Sequence, residues 1–468
     1  MTYALLPDQI DLIEHAKDKV RGGCKSLLIQ GATGSGKTVI ASEIISGAYR
    51  KDKMCFFIVP RRDLLRQTSA TLKEFGIPHS FIAAGMKTDT RARIFVCSTN
   101  TLKNRMGIVP DIAIVDEAHF GGEGLDKIIQ EYKAAGVIVI GLSATPWKLS
   151  GKGLGCWYDD MVCGPSIRWL IDNKRLSEFR AFAPSTPDLS GIKTVAGDYA
   201  QKQLAERMES DRVLIGNSVK HYKAHAMGRL NIAYCIGRKH SEIVAQSFRD
   251  AGIPAQHMDG ETPDEERVRI IKAYAKREIM VLTNCDLLTF GFDLSSASGM
   301  NVTVEAMSDL RPTKSLALQC QKWGRVLRYK PEPALIFDHG NNFREHGLPD
   351  ADREWTLEDR ARRGSSDGEK TIPVRQCPKC YFCFPPKPVC PNCQYVFTVG
   401  DREIEERDGD LSEVDSKKFE EAKKFEAKNK RMQNGRASSL ADLRAIARER
   451  GYKDGWVYKQ AQLKGITS

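Results

Sequence analysis

The sequence predicts an α/β chain with two tandem parallel-sheet domains, followed by a small cysteine-rich module and a helical, basic tail. Three observations carry this. Short apolar, β-branched runs alternate with helical patterns as far as about residue 345. Five cysteines then crowd into 17 residues, and the last 52 residues hold +8 of the net charge of +11. At 468 residues, 41% hydrophobic and 28% charged, the chain has enough apolar material for several cores. No apolar stretch approaches the roughly 18 residues of a membrane helix, and residues 1–20 lack a secretory pattern. The expectation is a protein with no membrane association. Eight of the 13 cysteines lie scattered, with no disulfide framework, which suits a reducing compartment such as the cytoplasm.

The first half predicts strands at 26–31 (SLLIQG), 55–60 (CFFIVP), 94–99 (IFVCST), 112–117 (IAIVDE) and 137–145 (VIVIGLSAT). Continuous apolar runs of this length read as strands buried on both faces, hence a parallel sheet flanked by helices. The second half predicts strands at 231–237, 279–284, 300–307 and 333–340. The resulting division is 1–165 for the first domain, 166–228 for a connection and 229–345 for the second domain. A linker rich in small and charged residues follows at 346–370, then the cysteine module at 371–400 and a charged helical segment at 401–468.

Gly31, Ala32, Thr33, Gly34, Ser35, Gly36, Lys37 and Thr38 fit G-x-x-x-x-G-K-[ST], directly after a predicted strand and before a helical pattern. Glycines let backbone N–H groups converge on phosphates, and the following helix N-terminus adds partial positive charge. Lys37 is then expected to bridge the outer phosphates of a bound triphosphate and Thr38 to ligate Mg²⁺. The predicted strand at 112–117 ends in Asp116 and Glu117, at the sheet edge where a nucleotide binds. Asp116 is expected to hold Mg²⁺, and Glu117 to orient or deprotonate the attacking water. His119 alone reads as a packing or hydrogen-bonding residue.

The ordered motifs resemble those of superfamily 2 helicases and translocases. Gly31–Thr38 is similar to motif I, Pro60-Arg61-Arg62 to Ia, Ser98-Thr99 to Ib, Asp116-Glu117-Ala118-His119 to II and Ser143-Ala144-Thr145 to III. Gly291-Phe292-Asp293 looks like motif V, and the run from Gln321 through Gly324 and Arg325 to Arg328 looks like motif VI. The segments between motifs, the cysteine cluster and the ending RAIARERGYKDGW resemble the RadD-type, phage-encoded DEAH-box branch. This resemblance implies two RecA-like domains with ATP between them, in a bacterial or phage-infected cell. It implies Asp293 as a nucleotide contact, 3′-to-5′ travel, and Gln321, Arg325 and Arg328 completing the site from the second domain. A planar guanidinium suits the transferring phosphoryl group, so arginines that enter on closure link hydrolysis to domain movement.

Arg61, Arg62, Ser98, Thr99 and Thr313 are candidate phosphate contacts for a single strand lying across both domains. Leu6-Pro7-Asp8-Gln9 departs from the relatives, placing Asp8 where they commonly carry an aromatic, while Gln9 remains positioned to read adenine edges. Thr289-Phe290 likewise departs from the acid that often precedes the motif V glycine.

Cys377-x-x-Cys380 and Cys390-x-x-Cys393 form two corners nine residues apart, the spacing of a compact zinc ribbon. Four thiolates can close a tetrahedral Zn²⁺ site, and so short a segment has little core without the metal. A set of Cys380, Cys383, Cys390 and Cys393 is the alternative. In the tail, Leu440, Leu443 and Ala447 follow helical spacing, with bases and Tyr452 and Trp456 nearby. This tail reads as a packed hairpin, or as a surface whose aromatics stack on nucleobases or dock a replication or repair partner.

The function predicted is an ATP-dependent helicase or translocase on single-stranded or branched nucleic acid, with DNA repair, recombination or replication as the setting. A restriction-system motor, an RNA helicase and a zinc-dependent nucleic-acid adaptor are the alternatives.

Overall fold

The computed structural model describes residues 5–105, 107–183, 187–289 and 294–360. It also describes positions 375–376, 383–384, 388–389, 394–397, 412–414, 439, 442–443, 446, 457 and 460–461. Asp293, Cys377, Cys380, Cys390 and Cys393 lie outside the described residues. Two compact units are distinguished, Met1–Pro373 with Gly400–Glu413, and Val374–Val399 with Val414–Ser468.

The first lobe of the larger unit runs α1 (Pro7–Arg21), β1 (Ser26–Gln30), α2 (Lys37–Arg50), β2 (Cys55–Val59), α3 (Arg62–Glu74), β3 (Ser80–Ile82) and β4 (Ile94–Ser98). It continues through α4 (Thr99–Leu102), β5 (Ile112–Val115), α5 (Glu123–Ala134), β6 (Ile138–Ser143) and β7 (Asp160–Cys163). The seven parallel strands lie in the order β3-β4-β2-β5-β6-β1-β7. Alternate residues of each strand point to opposite faces, so one run of apolar residues serves two cores. Leu27, Ile29, Phe57 and Val59 pack with α1, α2 and α3 on one side, whereas Leu28, Phe56, Ile58 and Phe95 meet Leu125, Ile128 and Tyr132 of α5 on the other.

Next come α6 (Ile167–Asp172), β8 (Phe179–Ala183), a small hairpin of β9 (Thr194–Val195) and β10 (Asp198–Tyr199), α7 (Gln201–Ser210) and α8 (Arg212–His225). The second lobe then alternates β11 (Asn231–Tyr234), α9 (Arg238–Asp250), β12 (Ala255–Met258), α10 (Asp264–Ala275), β13 (Val281–Asn284), α11 (Leu294–Ser298), β14 (Ala306–Asp309), α12 (Leu316–Val326), β15 (Ala334–Asp338) and α13 (Asn342–His346). Its parallel strands follow the order β12-β13-β11-β14-β15-β8. The strand expected over 300–307 pairs only from Ala306 to Asp309. Its partner β11 begins at Asn231, opposite Ala306, so the pairing thins out just before it, with Glu305 N–H donating to Leu230 O at 2.9 Å and Glu305 O accepting from Leu335 N–H at 3.1 Å. The short strands β3, β7, β8 and β12 were not legible as apolar runs.

After α13 the chain returns to the first lobe. Trp355 packs against Trp147 with ring centroids 5.2 Å apart, and Trp147 Nε1 donates to Glu358 O at 2.8 Å. Gly155 N–H donates to Leu357 O at 2.9 Å, and Gly153 N–H to Asp359 Oδ1 at 2.8 Å. This strap ties the end of the second lobe to the loop that follows Thr145.

In the smaller unit, Arg375–Gln376 pairs antiparallel with Cys383–Phe384, and Val389 bridges Val396. Leu443, Ile446, Val457 and Ala461 are buried there. No described helix is long and apolar enough to cross a membrane.

Candidate ATP site between the lobes

Gln30 pairs with Ser143 and Val115 with Gly141, so β1, β5 and β6 end at one sheet edge and deliver three motifs together. The turn Gly31–Gly36 leads from β1 into α2, whose first residue is Lys37. Gly36 adopts φ +87°, and a Cβ there would lie 2.4 Å from Gln9 Nε2, so both backbone and space exclude a side chain. Lys37 is buried and donates to Gly31 O at 3.1 Å and Ala32 O at 3.4 Å. Thr33 Oγ1 and Ser35 Oγ are buried without a hydrogen-bond partner among the described residues. An ammonium closed over its own loop beside two orphaned hydroxyls suits phosphate oxygens. Thr38 follows Lys37 in the first turn of α2.

Gln9 is buried at the start of α1, with Oε1 accepting from Leu6 N–H at 3.1 Å and Nε2 donating to Ser35 O at 3.3 Å. The residue expected to read adenine therefore grips the phosphate loop itself. Asp116 lies one residue beyond β5, with its N–H donating to Ile58 O at 2.9 Å and its Oδ1 accepting from Glu117 N–H at 3.0 Å. Burial raises its carboxyl to about 7, Glu117 adds to the rise, and Lys37 opposes it.

Glu117 sits at φ 45°, an uncommon conformation for a residue with a side chain. Its Oε2 accepts from Gln321 Nε2 of α12 at 3.0 Å, across the cleft, and lies 3.4 Å from His119 Nδ1. His119 Nδ1 is also 2.9 Å from Ser143 Oγ, which spends its own hydrogen on Thr145 O at 2.6 Å. Ser143 Oγ therefore accepts, and Nδ1 carries the imidazole proton. Burial holds this imidazole at about 4, so it is neutral at physiological pH. His119, which reads from sequence as a packing or hydrogen-bonding residue, is both, buried and wiring Glu117 to Ser143.

On the facing lobe, a Cβ placed on Gly324 would lie 2.1 Å from Thr33 Cβ, so only glycine lets α12 approach the phosphate loop this closely. Arg325 is buried, and its Nε donates to Leu288 O at 3.0 Å within its own lobe. Arg328 follows α12, bridges Leu176, and its carbonyl accepts from Ser177 Oγ at 2.9 Å. The structure thus brings Gln321 to Glu117 and Gly324 to Thr33, while the described Arg325 contact stays on the second lobe.

Sequence reasoning missed Lys322. It is fully buried, with Nζ 2.7 Å from both carboxylate oxygens of Asp309 and 3.1 Å from Arg311 O. Gln319 Nε2 and Arg311 N–H also donate to the Asp309 carboxylate, at 3.0 and 3.3 Å. The available signal was a lysine three residues after Gln319 and three before Arg325, a polar stripe on a helix whose residues are all buried.

Among the candidate strand contacts, Thr313 is buried and its hydroxyl donates to Asp198 Oδ2 at 2.7 Å. Thr99 Oγ1 donates to Val59 O at 3.1 Å, and Ser98 is buried at the end of β4. Arg61 caps the start of α3, and Arg62 is that helix's first residue. Among the described residues, no group of three or more His, Cys, Asp or Glu could hold a metal ion.

Comparison with known proteins agrees with this architecture. Residues 2–148 match the family model for the type III restriction enzyme res subunit, and residues 217–330 that for the helicase conserved C-terminal domain. A 51.5 kDa protein of Lactococcus phage (isolate 7-9) is 32% identical over 381 residues, covering 80% of this chain and 79% of that protein. The Saccharomyces cerevisiae protein named as ATP-dependent helicase IRC3 is 29% identical over 343 residues, covering 68% of this chain. This chain spans about half that protein's length, 49%. Among solved structures, a fragment assigned to the HsdR subunit of a type I restriction enzyme from Vibrio vulnificus YJ016 shares the fold at TM-score 0.57 and 18% identity, over 74% of this chain and 67% of that one. The type ISP restriction-modification enzyme LlaBIII, solved bound to DNA, does so at TM-score 0.52 and 16% identity, over 72% of this chain and 28% of that one. With both helicase lobes matched and facing one phosphate loop, the chain belongs to superfamily 2, the ATP-dependent helicases.

Proposed function

We propose that this protein is a nucleic-acid-stimulated ATPase that translocates on DNA and separates or remodels branched duplexes during repair, recombination or replication. The observation that carries the reading is the 3.0 Å bond from Gln321 to Glu117, which joins the lobes at the acid best placed to orient water. In this reading Lys37 and the loop Gly31–Gly36 hold the triphosphate, while Thr38 and Asp116 hold Mg²⁺. Bound Mg²⁺ would supply charge neutralisation to the phosphates. Arg325 and Arg328, and Asp293 with Gln9, complete the nucleotide contacts as the cleft tightens. The surplus of bases, +11 overall, suits a polyanionic strand. Turnover measured against matched DNA and RNA, single-stranded and forked, tests the proposal. Equal rates with and without every nucleic acid would overturn it.

The finer assignment is the DEAH-box, RadD-type branch in a bacterial or phage-infected cytoplasm. Its organisation is 1–165 and 229–345 as lobes, 166–228 as a connection that lends β8 to the second lobe, and 346–370 as a linker. Residues 371–400 would form a Zn²⁺ ribbon and 401–468 a tail that docks a repair or replication partner. Two pairings support the ribbon, because Cys377 and Cys380 fall between paired Gln376 and Cys383, and Cys390 and Cys393 between bridged Val389 and Val396. The donor set, four thiolates, suits zinc. Metal analysis of the purified chain should return one zinc per protein, and Cys377→Ser with Cys390→Ser should remove it.

The match to a restriction-enzyme family model favours a second reading, in which the chain drives a separate nuclease. Copurification of a nuclease would select it.

A further inference from the structure

The aromatic missing beside Gln9 leaves open how the nucleoside base is held, and the neighbouring residues supply an answer. Asp8 is next to Gln9 in the first turn of α1, and its side chain is 8% exposed. Its Oδ1 has no hydrogen-bond partner among the described residues, and the nearest cation is Arg175 Nη2, 3.7 Å away. Arg175 is about one third exposed (32%), while its Nε is buried and unpartnered among the described residues. Its backbone is fixed, because Arg175 N–H and Leu176 N–H both donate to Leu170 O, at 2.8 and 3.1 Å. Leu176 in turn covers the phosphate loop, where a Cβ on Gly34 would meet its Cδ2 at 3.0 Å. Acid and guanidinium thus flank the segment that Gln9 ties to Ser35.

We propose that Asp8 and Arg175 form the base-recognition pair of this enzyme, with the guanidinium plane stacking on a 6-aminopurine and Asp8 Oδ1 accepting a hydrogen from its exocyclic amino group. A guanidinium presents a flat, weakly hydrated face that stacks on aromatic rings, which an ammonium does not. An unpaired buried acceptor rewards a donor and repels a carbonyl oxygen, so a 6-oxopurine such as guanine is rejected. Asp8 and Arg175 also hold each other in place without a full hydrogen bond, leaving both available to the base. The sequence departure at Asp8 then becomes a substitution of one recognition device for another. This inference rests on the proposed reading of the phosphate loop as a triphosphate site.

The test uses the full chain with single-stranded DNA, and compares hydrolysis of ATP, GTP and ITP with binding of fluorescent ADP and GDP. The wild type should favour ATP over GTP and ITP by at least about tenfold in kcat/KM. Arg175→Ala should raise KM for ATP about tenfold with kcat little changed, Arg175→Lys should not restore it, and Arg175→Phe should restore part of it. Asp8→Asn should collapse the ATP-to-GTP ratio, because an amide can donate to the 6-oxo group. Wild-type KM in Arg175→Ala, full recovery by Arg175→Lys, or an unchanged ratio in Asp8→Asn would each overturn the pair. A wild type that binds ADP and GDP alike overturns the pair alone, whereas one that neither binds nor hydrolyses any of these nucleotides overturns the triphosphate site and the pair with it.

Discussion

Gln321 Nε2 donates to Glu117 Oε2 at 3.0 Å, joining residues 204 positions apart in sequence and on opposite lobes. The same carboxylate lies 3.4 Å from His119 Nδ1, and His119 leads through Ser143 Oγ to Thr145. The loop after Thr145 is where the strap Trp355–Arg360 is fastened. A change of lobe position at α12 therefore reaches the first lobe twice, through Glu117 and through the strap. Coupling between hydrolysis and movement needs contacts that join the lobes, and here they are contiguous.

Replacing Gln321 tests that coupling directly. Gln321→Ala removes the donor and should lower nucleic-acid-stimulated turnover by on the order of ten- to a hundredfold while leaving KM for ATP nearly unchanged. Gln321→Glu places a second carboxylate against Glu117 and should be more damaging. Steady-state hydrolysis with saturating strand measures both, and a large rise in KM alone would point to a binding role instead.

Lys37→Ala removes the ammonium that now bonds Gly31 O and Ala32 O. Turnover should fall by on the order of 10²–10³, the scale for losing one preorganised charge donor. Strand binding, read by fluorescence anisotropy without nucleotide, should persist. Retained turnover would place the phosphate site elsewhere.

The motifs and the five inner strands of the first sheet were legible because their signals are local. A glycine loop announces itself in eight residues, and strands such as Cys55–Val59 are apolar throughout because both faces are covered. The strand β12, AQHM, has a half-buried polar centre and does not show that pattern. The strand β8 is legible only once β15 is known to lie beside it. At the site, the residue types of motifs I, II and VI could be read, but their partners could not. Nothing in sequence says that Gln9 binds Ser35 O, that Thr313 gives its hydroxyl to Asp198, or that Lys322 meets Asp309, since each pairing depends on chain geometry across elements.

That last pair should be a mechanical pivot for α12. Burial lowers the Lys322 ammonium below its ordinary range, while Asp309 acts in the opposite sense. Lys322→Met strands the Asp309 carboxylate with Gln319 as its remaining described side-chain donor, which should cost about 3–5 kcal/mol of stability. The double variant Lys322→Met with Asp309→Leu should recover most of that loss, because two charges leave the core together. Urea unfolding of the three proteins checks this, and Gln321 should remain functional only where α12 keeps its seat.

Acid sensitivity should arise in part from His240. This imidazole is buried in α9, and its Nδ1 accepts from Ile236 N–H at 3.4 Å, so the folded state needs it neutral. Burial lowers it to about 4, with Glu209 pulling the other way. A folded value below the unfolded one means the stabilisation is complete above about pH 6.5 and drains away as pH falls towards 4. By pH 5 the loss should be about 2 kcal/mol relative to neutral pH. Asp116 and Asp338, both raised to about 7 by burial, run in the opposite sense, so wild-type curves alone mix the effects. His240→Gln removes the titration and leaves those carboxyls in place. Its stability relative to wild type should therefore rise steadily from pH 7 to pH 4.5 in urea melts, and a difference that stayed flat with pH would show that His240 does not change charge on unfolding.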